Sequence, residues 1–350
     1  MKNQNILKPI ELNGDTKLKN RIVMAPMTRA NAKANGTPSQ AMVEYYAKRA
    51  DAGLIITEGT IISQEATGYE NVPGIYTPEH LKAWKKVTHA VHQKGGRIYL
   101  QLWHVGRVSH PSFLNGKLPV SASATTMQGR VRRAKELYYG KSREATLQEL
   151  NLIIEQFALG AKNALDAGFD GVEIHGANGY LIDQFLHFST NQRTDKYGGS
   201  AQNMAQFAID IVDACIKAIG ADRVGIRLSP GAYLNEIEGD VRDAAVFKKL
   251  LQDLSNKKLS YVHTGNFDDT VTFSELGNKT MTQFIREHYT GFVIASGGYT
   301  AESAEQQMMN NEFDLVAFGK PFIANPDLVF RLKNNLNLIQ YESSMLDTMN

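Results

Sequence analysis

The stretch Val172-Glu173-Ile174-His175-Gly176-Ala177-Asn178-Gly179-Tyr180-Leu181 sets an imidazole, an amide and a phenol close together along the chain. His175 and Asn178 at this spacing can aim two donors at one oxygen. Two donors on a carbonyl stabilise the negative charge that develops when a hydride attacks the conjugated carbon. Tyr180 brings a phenolic proton that, with an ordinary pKa near ~10, is retained at rest and can be delivered to a carbanion. A metal role for His175 is the weaker reading, because no carboxylate partner stands at ligand spacing, and burial in the core is the bland one.

Other groups belong with these. Gln101, in Gln101-Leu102-Trp103-His104, offers a donor and an acceptor on one amide, which suits the alternating edge of a flavin pyrimidine or, equally, a polar group buried in a core. Arg227, in Gly225-Ile226-Arg227-Leu228-Ser229-Pro230, is a permanent cation in an apolar run and requires an anionic ligand or an internal carboxylate. The turns Ala295-Ser296-Gly297-Gly298-Tyr299 and Ala317-Phe318-Gly319-Lys320-Pro321 can present backbone N–H groups to a phosphate.

These groups close short β-branched runs, and the runs define the scaffold. Strands are expected at Ile22–Ala25, Leu54–Glu58, Arg97–Leu102, Gly171–His175, Val224–Leu228, Tyr261–Thr264, Phe292–Ala295 and Leu315–Phe318, separated by stretches of helical period. Such alternation predicts a parallel sheet closed as a single (β/α)8 barrel spanning residues 1–350, whose active site lies at the C-terminal strand ends. Thr77-Pro78 starts one helix with Trp84, Val87 and Val91 inward, and Gly95 ends it. Thr146 to Glu149 forms a capping box ahead of Ile153, Phe157, Ala161 and Leu165, stopped by Gly168, while Ser200 to Gly220 repeats the scheme with Phe207, Ile211 and Ala214. Leu12-Asn13-Gly14-Asp15 signals a hairpin that caps the barrel's N-terminal end. A long loop follows the third strand, from about Val105 to Ala145, with Arg130, Arg132, Arg133, Lys135, Lys141 and Arg143; its charge is either solvated or a contact for a nicotinamide phosphate.

Composition narrows the classes. With 350 residues, 43% hydrophobic and 21% charged, the chain can bury a large core, and a net charge of +2 does not advertise nucleic acid or an anionic membrane. The single cysteine, Cys215, excludes an intramolecular disulfide, a cysteine-ligated zinc and an iron–sulfur cluster, and reads as a buried hydrophobe. Met1 to Asp15 lacks the continuous apolar region of a signal peptide, and no run reaches the ~18 apolar residues of a membrane span, so a cytoplasmic protein is expected.

Taken together, Arg21–Arg29, Gln101–His110, Val172–Ser200 and Ala317–Leu328 resemble the Old Yellow Enzyme family of FMN-dependent ene-reductases, in the branch with threonine after the first strand. The resemblance runs from about Leu18 to Leu332. It implies that Pro26, Met27 and Thr28 lie along FMN, that Gly59 and Gln101 meet the ring edge, and that Arg227 faces its anionic side. It further implies that Gly297, Gly298, Gly319 and Lys320 hold the ribityl phosphate, that His175 also borders the cofactor, and that His175 and Asn178 bind the substrate carbonyl. Tyr180 matches the proton donor, and Tyr69 and Trp103 match pocket-lining residues.

Two departures stand out: Gly319-Lys320 replaces the usual Gly-Arg, giving a point charge for a bidentate fork, and Leu336 to Tyr341 lacks the Gly- and Tyr-rich character common there. The implied activity is a ping-pong cycle in which NADPH or NADH donates to FMN and an α,β-unsaturated carbonyl, nitroalkene or related xenobiotic accepts. No G-x-G-x-x-G fingerprint is present, so the nicotinamide is expected to share the substrate's face. No metal is expected, and the protein is read as a monomer or homodimer. The rival readings are a flavin-free lyase or isomerase acting on a sugar phosphate, and a protein that binds FMN without turnover.

Overall fold

The computed structural model describes residues 5–134 and 136–349, so Met1–Gln4, Lys135 and Asn350 lie outside the described residues. Eight parallel strands carry the architecture: β1 (Ile22–Met24), β2 (Leu54–Ile56), β3 (Ile98–Trp103), β4 (Gly171–Gly176), β5 (Val224–Leu228), β6 (Tyr261–Thr264), β7 (Val293–Ala295) and β8 (Leu315–Phe318). Each pairs with its neighbour in sequence, and β8 pairs back to β1, with Val316 opposite Ile22 and Phe318 opposite Met24. The ring is therefore closed, and no barrel strand is left with an open edge. Every strand expected from the sequence is present, within two residues at either end.

The strands are buried on both faces because helices cover the outside. These are α1 (Gln40–Lys48), α2 (Pro78–His92), α3 (Leu147–Asp166), α4 (Ala201–Ile219), α5 (Asp243–Ser255), α6 (Met281–His288), α7 (Ala301–Met309) and α8 (Leu328–Lys333). Thr77 caps α2 through the His80 N–H, and the Thr146–Glu149 capping box is formed at α3. One detail differs from expectation. Leu165 and Ala214 are only half-buried, whereas Ala164 and Cys215 are buried. For Leu165 the reason is that steps of four residues overshoot the 3.6-residue turn, so a stripe extended by repeated fours from Ile153 drifts off the core face; that does not account for Ala214.

The hairpin Ile10–Leu12 and Thr16–Leu18 is antiparallel. Its Leu12 and Leu18 share an apolar cluster with Leu54, Tyr99, Tyr261 and Leu315, which stand at or near the starts of their strands. Asn13 Nδ2 donates to Leu259 O just ahead of β6 at 2.6 Å. The long connection after β3 has structure of its own: Val120–Ser121 pairs with Arg143–Glu144, and bridges join Thr126 to Lys141 and Arg130 to Tyr138. Among the described residues, no helix is long and apolar enough to cross a membrane.

Candidate active site

The turn after β4 departs most from regular backbone. Asn178 has φ 63° and Gly179 has φ 74°, and a left-handed Asn is held only where its surroundings demand it. Here they do. The Asn178 N–H donates to Ser229 Oγ at 3.1 Å, and its carbonyl accepts from Asn235 Nδ2 at 2.7 Å. The Asn178 Oδ1 accepts the Tyr233 hydroxyl, so its Nδ2 is the end left to present to a ligand. Gly179 must stay a glycine, since a Cβ there would come within 2.7 Å of the Asn235 side chain.

A buried ionic group stands behind this turn. The Gly179 N–H donates to Asp183 Oδ2 at 2.7 Å. Asp183 Oδ1 lies 3.4 Å from His187 Nε2, and His187 Nδ1 lies 2.8 Å from Asp243 Oδ2 at the start of α5. Burial alone would lower the imidazole's pKa, but the two aspartates outweigh it and raise it to about 10.

An aromatic wall follows. The Tyr180 hydroxyl sits 2.9 Å from that of Tyr69. The Trp103 ring lies edge-on to Tyr180 at 4.9 Å and stacks with Tyr69 at 5.3 Å, and the His175 ring is 5.0 Å from Tyr180. Gly59 closes against this wall, because a Cβ there would approach the Trp103 ring to 2.6 Å. Burial raises the Tyr180 pKa, opposed by the Tyr69 hydrogen bond and the Arg132 charge, so the phenol is protonated at neutral pH. Burial, with the nearby Arg227 charge, holds His175 well below its ordinary value, so it is a neutral imidazole. Its Nδ1 and the Trp103 Nε1 are buried without a hydrogen-bond partner among the described residues.

Beneath the mouth, side chains from adjacent strands interlock. Gln101 Nε2 donates to Glu173 Oε1 at 2.8 Å, and His263 Nδ1 donates to Glu173 Oε2 at 2.8 Å. Arg227 stands opposite His175 on one side and His263 on the other. It donates to Thr264 O and Ser296 Oγ, both at 3.3 Å, and makes no ion pair among the described residues. The internal carboxylate that a buried arginine calls for is thus not paired with it, which leaves an anionic ligand as the natural partner.

The segment after β1 is clamped from two sides. The N–H groups of Arg29 and Ala30 donate to Glu58 Oε2 at 3.0 and 2.8 Å, and Arg133 donates to the carbonyls of Thr28 and Arg29 at 2.8 and 3.0 Å. Burial pushes Glu58 up to about 7, against the pull of those two N–H donors. Pro26, Met27 and Thr28 are half-buried, and Met27 Sδ lies 3.3 Å from where a Cβ on Gly319 would stand, joining the β1 and β8 ends. Gly297 has φ 132°, and a Cβ there would meet the Asp269 N at 2.5 Å; Gly298 is exposed. Lys320 is exposed, its Nζ 5.7 Å from the Tyr341 ring.

The candidate site residues lie in the C-terminal halves of the strands or in the segments that follow them, and the closest association is among His175, Tyr180, Trp103, Tyr69 and Gly59. Several supporting groups escaped sequence reasoning: Glu173, His263, Glu58, Asp183, His187, Asp243, Tyr233 and Asn235. Glu173 left one trace, since it stands two residues before His175 in an otherwise apolar strand and so shares its face. In the loop, Arg133 binds backbone carbonyls and Arg143 pairs with Glu149, which gives both a structural use rather than a merely solvated one.

Comparison with known proteins agrees over nearly the whole chain. Residues 5–338 match the model of the NADH:flavin oxidoreductase / NADH oxidase family. A flavin oxidoreductase of Emericella nidulans, hxnT, is 40% identical, the match covering 93% of this chain and 90% of the relative. The 12-oxophytodienoate reductase 2 of Arabidopsis thaliana is 40% identical over 98% of this chain and 92% of its own. Among solved structures, an old yellow enzyme homologue from Zymomonas mobilis superposes with TM-score 0.90 at 35% identity, covering 98% of this chain and 96% of that one. Morphinone reductase in complex with tetrahydroNAD gives 0.89 at 39% identity, covering 98% and 94%.

Proposed function

We propose, from the premise that this chain belongs to the NADH:flavin oxidoreductase / NADH oxidase family, that its rim residues reduce electron-poor alkenes with Tyr180 as proton donor. The protein is an FMN-dependent NAD(P)H oxidoreductase of the Old Yellow Enzyme type; FMN, when bound, takes a hydride from NAD(P)H and passes it to an activated carbon–carbon double bond. The residues present fit such a group. Among the described residues, Arg227 lacks a carboxylate partner and the buried His175 Nδ1 and Trp103 Nε1 lack hydrogen-bond partners, and Gly59, Gly297 and Gly319 stand where side chains would crowd the rim.

In this reading the described residues act as one FMN-binding barrel domain. Pro26, Met27, Thr28, Gly59, Gln101, His175 and Arg227 border the ring system, while Gly297, Gly298, Gly319 and Lys320 hold the phosphate. The neutral His175 and the free Nδ2 of Asn178 donate to the substrate's carbonyl or nitro oxygen, which favours the enolate-like charge of the transition state over the ground state. Tyr180 gives its proton to the α carbon. The Tyr69 hydroxyl at 2.9 Å and the Arg132 charge then stabilise the resulting phenolate. Tyr69 and Trp103 line the substrate's face, which the nicotinamide shares, so donor and acceptor bind in turn.

The observation that carries this reading is a protonated, buried Tyr180 packed against His175 in one wall. Substrates are α,β-unsaturated carbonyls, nitroalkenes or related xenobiotics, the donor is NADPH or NADH, and the enzyme works in the cytoplasm as a monomer or homodimer without nucleic acid or membrane partners. The test is an anaerobic visible spectrum of the purified protein, followed by NADPH and then excess 2-cyclohexenone. A flavin band that bleaches with NADPH and returns with the enone is expected. A colourless protein that stays colourless after incubation with FMN would overturn the assignment and favour the phosphate-binding lyase or isomerase.

A further inference from the structure

The amide of Gln101 is oriented by a bond at its nitrogen end. Its Nε2 is committed to Glu173 Oε1 at 2.8 Å, and a carboxylate can only accept, so the amide cannot be turned round while Glu173 is ionised. The Oε1 of Gln101 is therefore held on the side away from Glu173, free to accept from a ligand, with the second N–H of Nε2 beside it. Glu173 is itself pinned, because its second oxygen takes the His263 Nδ1 proton at 2.8 Å and its side chain is fully buried. Three strands of the barrel thus fix one polarity: β6 orients Glu173 on β4, and Glu173 orients Gln101 on the adjacent β3.

We infer that Glu173 is a positioning residue that makes Gln101 an obligate hydrogen-bond acceptor toward the pyrimidine edge of FMN, whose ring N–H is the matching donor. This rests on the reading that Gln101 meets the flavin. Glu173 touches no cofactor in this scheme and acts through Gln101 alone. Replacing it with glutamine should invert the arrangement. With His263 keeping its Nδ1–H tautomer, the new amide keeps its oxygen toward that donor and turns its NH2 toward Gln101, which then accepts inward and presents its own NH2 to the flavin edge. The swap Glu173→Gln/Gln101→Glu should undo this. The new amide still accepts from His263 and donates inward to the carboxylate at 101, whose other oxygen again faces the mouth as an acceptor.

The test is titration of FMN into the deflavinated full-length protein, read by quenching of flavin fluorescence, for the wild type, Gln101→Met, Glu173→Gln and the swap, with thermal midpoints measured alongside. Gln101→Met is expected to weaken FMN binding about tenfold or more, and Glu173→Gln to do the same. The swap should return to within about threefold of the wild type. If Gln101→Met leaves FMN affinity unchanged, Gln101 does not meet the flavin and the underlying reading fails. If Gln101→Met weakens binding but Glu173→Gln does not, or if the swap binds no better than Glu173→Gln, the orienting role of Glu173 is overturned. Should Glu173→Gln fail to fold, the swap decides the matter: a folded swap that holds FMN supports the inference, and one that folds without holding FMN refutes it.

Discussion

Replacing Asp243 with asparagine tests whether the buried imidazolium behind the turn after β4 is real. In the native protein His187 sits between Asp183 and Asp243, and its pKa stands at about 10 against an ordinary 6.5. A displacement of that size corresponds to roughly 5 kcal/mol of folding free energy. The native imidazole keeps its proton where the unfolded one has lost it, so this stability is complete below pH 6.5. It drains away as pH rises to about 10, at about 1.4 kcal/mol per pH unit. Asp243→Asn keeps an oxygen for the Phe188 N–H but removes one of the two charges. It should cost about 2–4 kcal/mol at pH 6, and the gap from wild type should narrow toward pH 10 as the wild type loses its advantage. Urea denaturation across pH 6–10 measures both curves, and other titrating groups cancel in the difference. Parallel curves would mean that Asp243 does not hold the proton and would refute the assignment. Because Asp183 also anchors the Gly179 N–H, the variant should slow enone reduction while retaining FMN.

Tyr180→Phe should slow flavin reoxidation by an enone about 10²–10⁴-fold while leaving reduction by NADPH nearly untouched, and stopped-flow kinetics showing equal loss in both steps would remove it as proton donor. Lys320→Ala should weaken FMN retention, checked by cofactor content after dialysis; unchanged content would take Lys320 out of the phosphate site. Glu58→Gln should be neutral or stabilising above pH 7, by roughly 1–3 kcal/mol, because the raised pKa means that burial opposes the ionised form there while an amide oxygen still serves the Arg29 and Ala30 N–H groups. A variant less stable than wild type at pH 8 by urea denaturation would show that the charge itself is needed.

Much of this protein is determined by the sequence alone. The eight β-branched runs, each followed by a helical period, admit a closed parallel barrel, and such a barrel places the ends of those runs on one rim. That is why Gln101, His175, Arg227 and the glycine turns could be singled out from linear position, whereas Pro26 to Thr28 and Gly59 came only with the family resemblance: a candidate site at strand ends is local in sequence. The paired donors His175 and Asn178 and the phenol of Tyr180 were legible for the same reason, since they share one short turn.

Only the tertiary structure decided how those groups are held. Asn178 presents its NH2 because Tyr233 and Ser229, from the β5 end, occupy its other polar groups. Tyr180 meets Tyr69 across 111 positions of sequence, and Glu58 reaches back to the turn after β1. Glu173 binds His263 from 90 residues away, and His187 finds Asp243 at the start of α5. Hydrophobic period records which face of an element is buried, because burial repeats with the backbone geometry. It records nothing about which buried polar group meets which, because that pairing depends on the closing of the barrel, and the requirement that a buried charge or amide find a partner is satisfied across strands rather than along them.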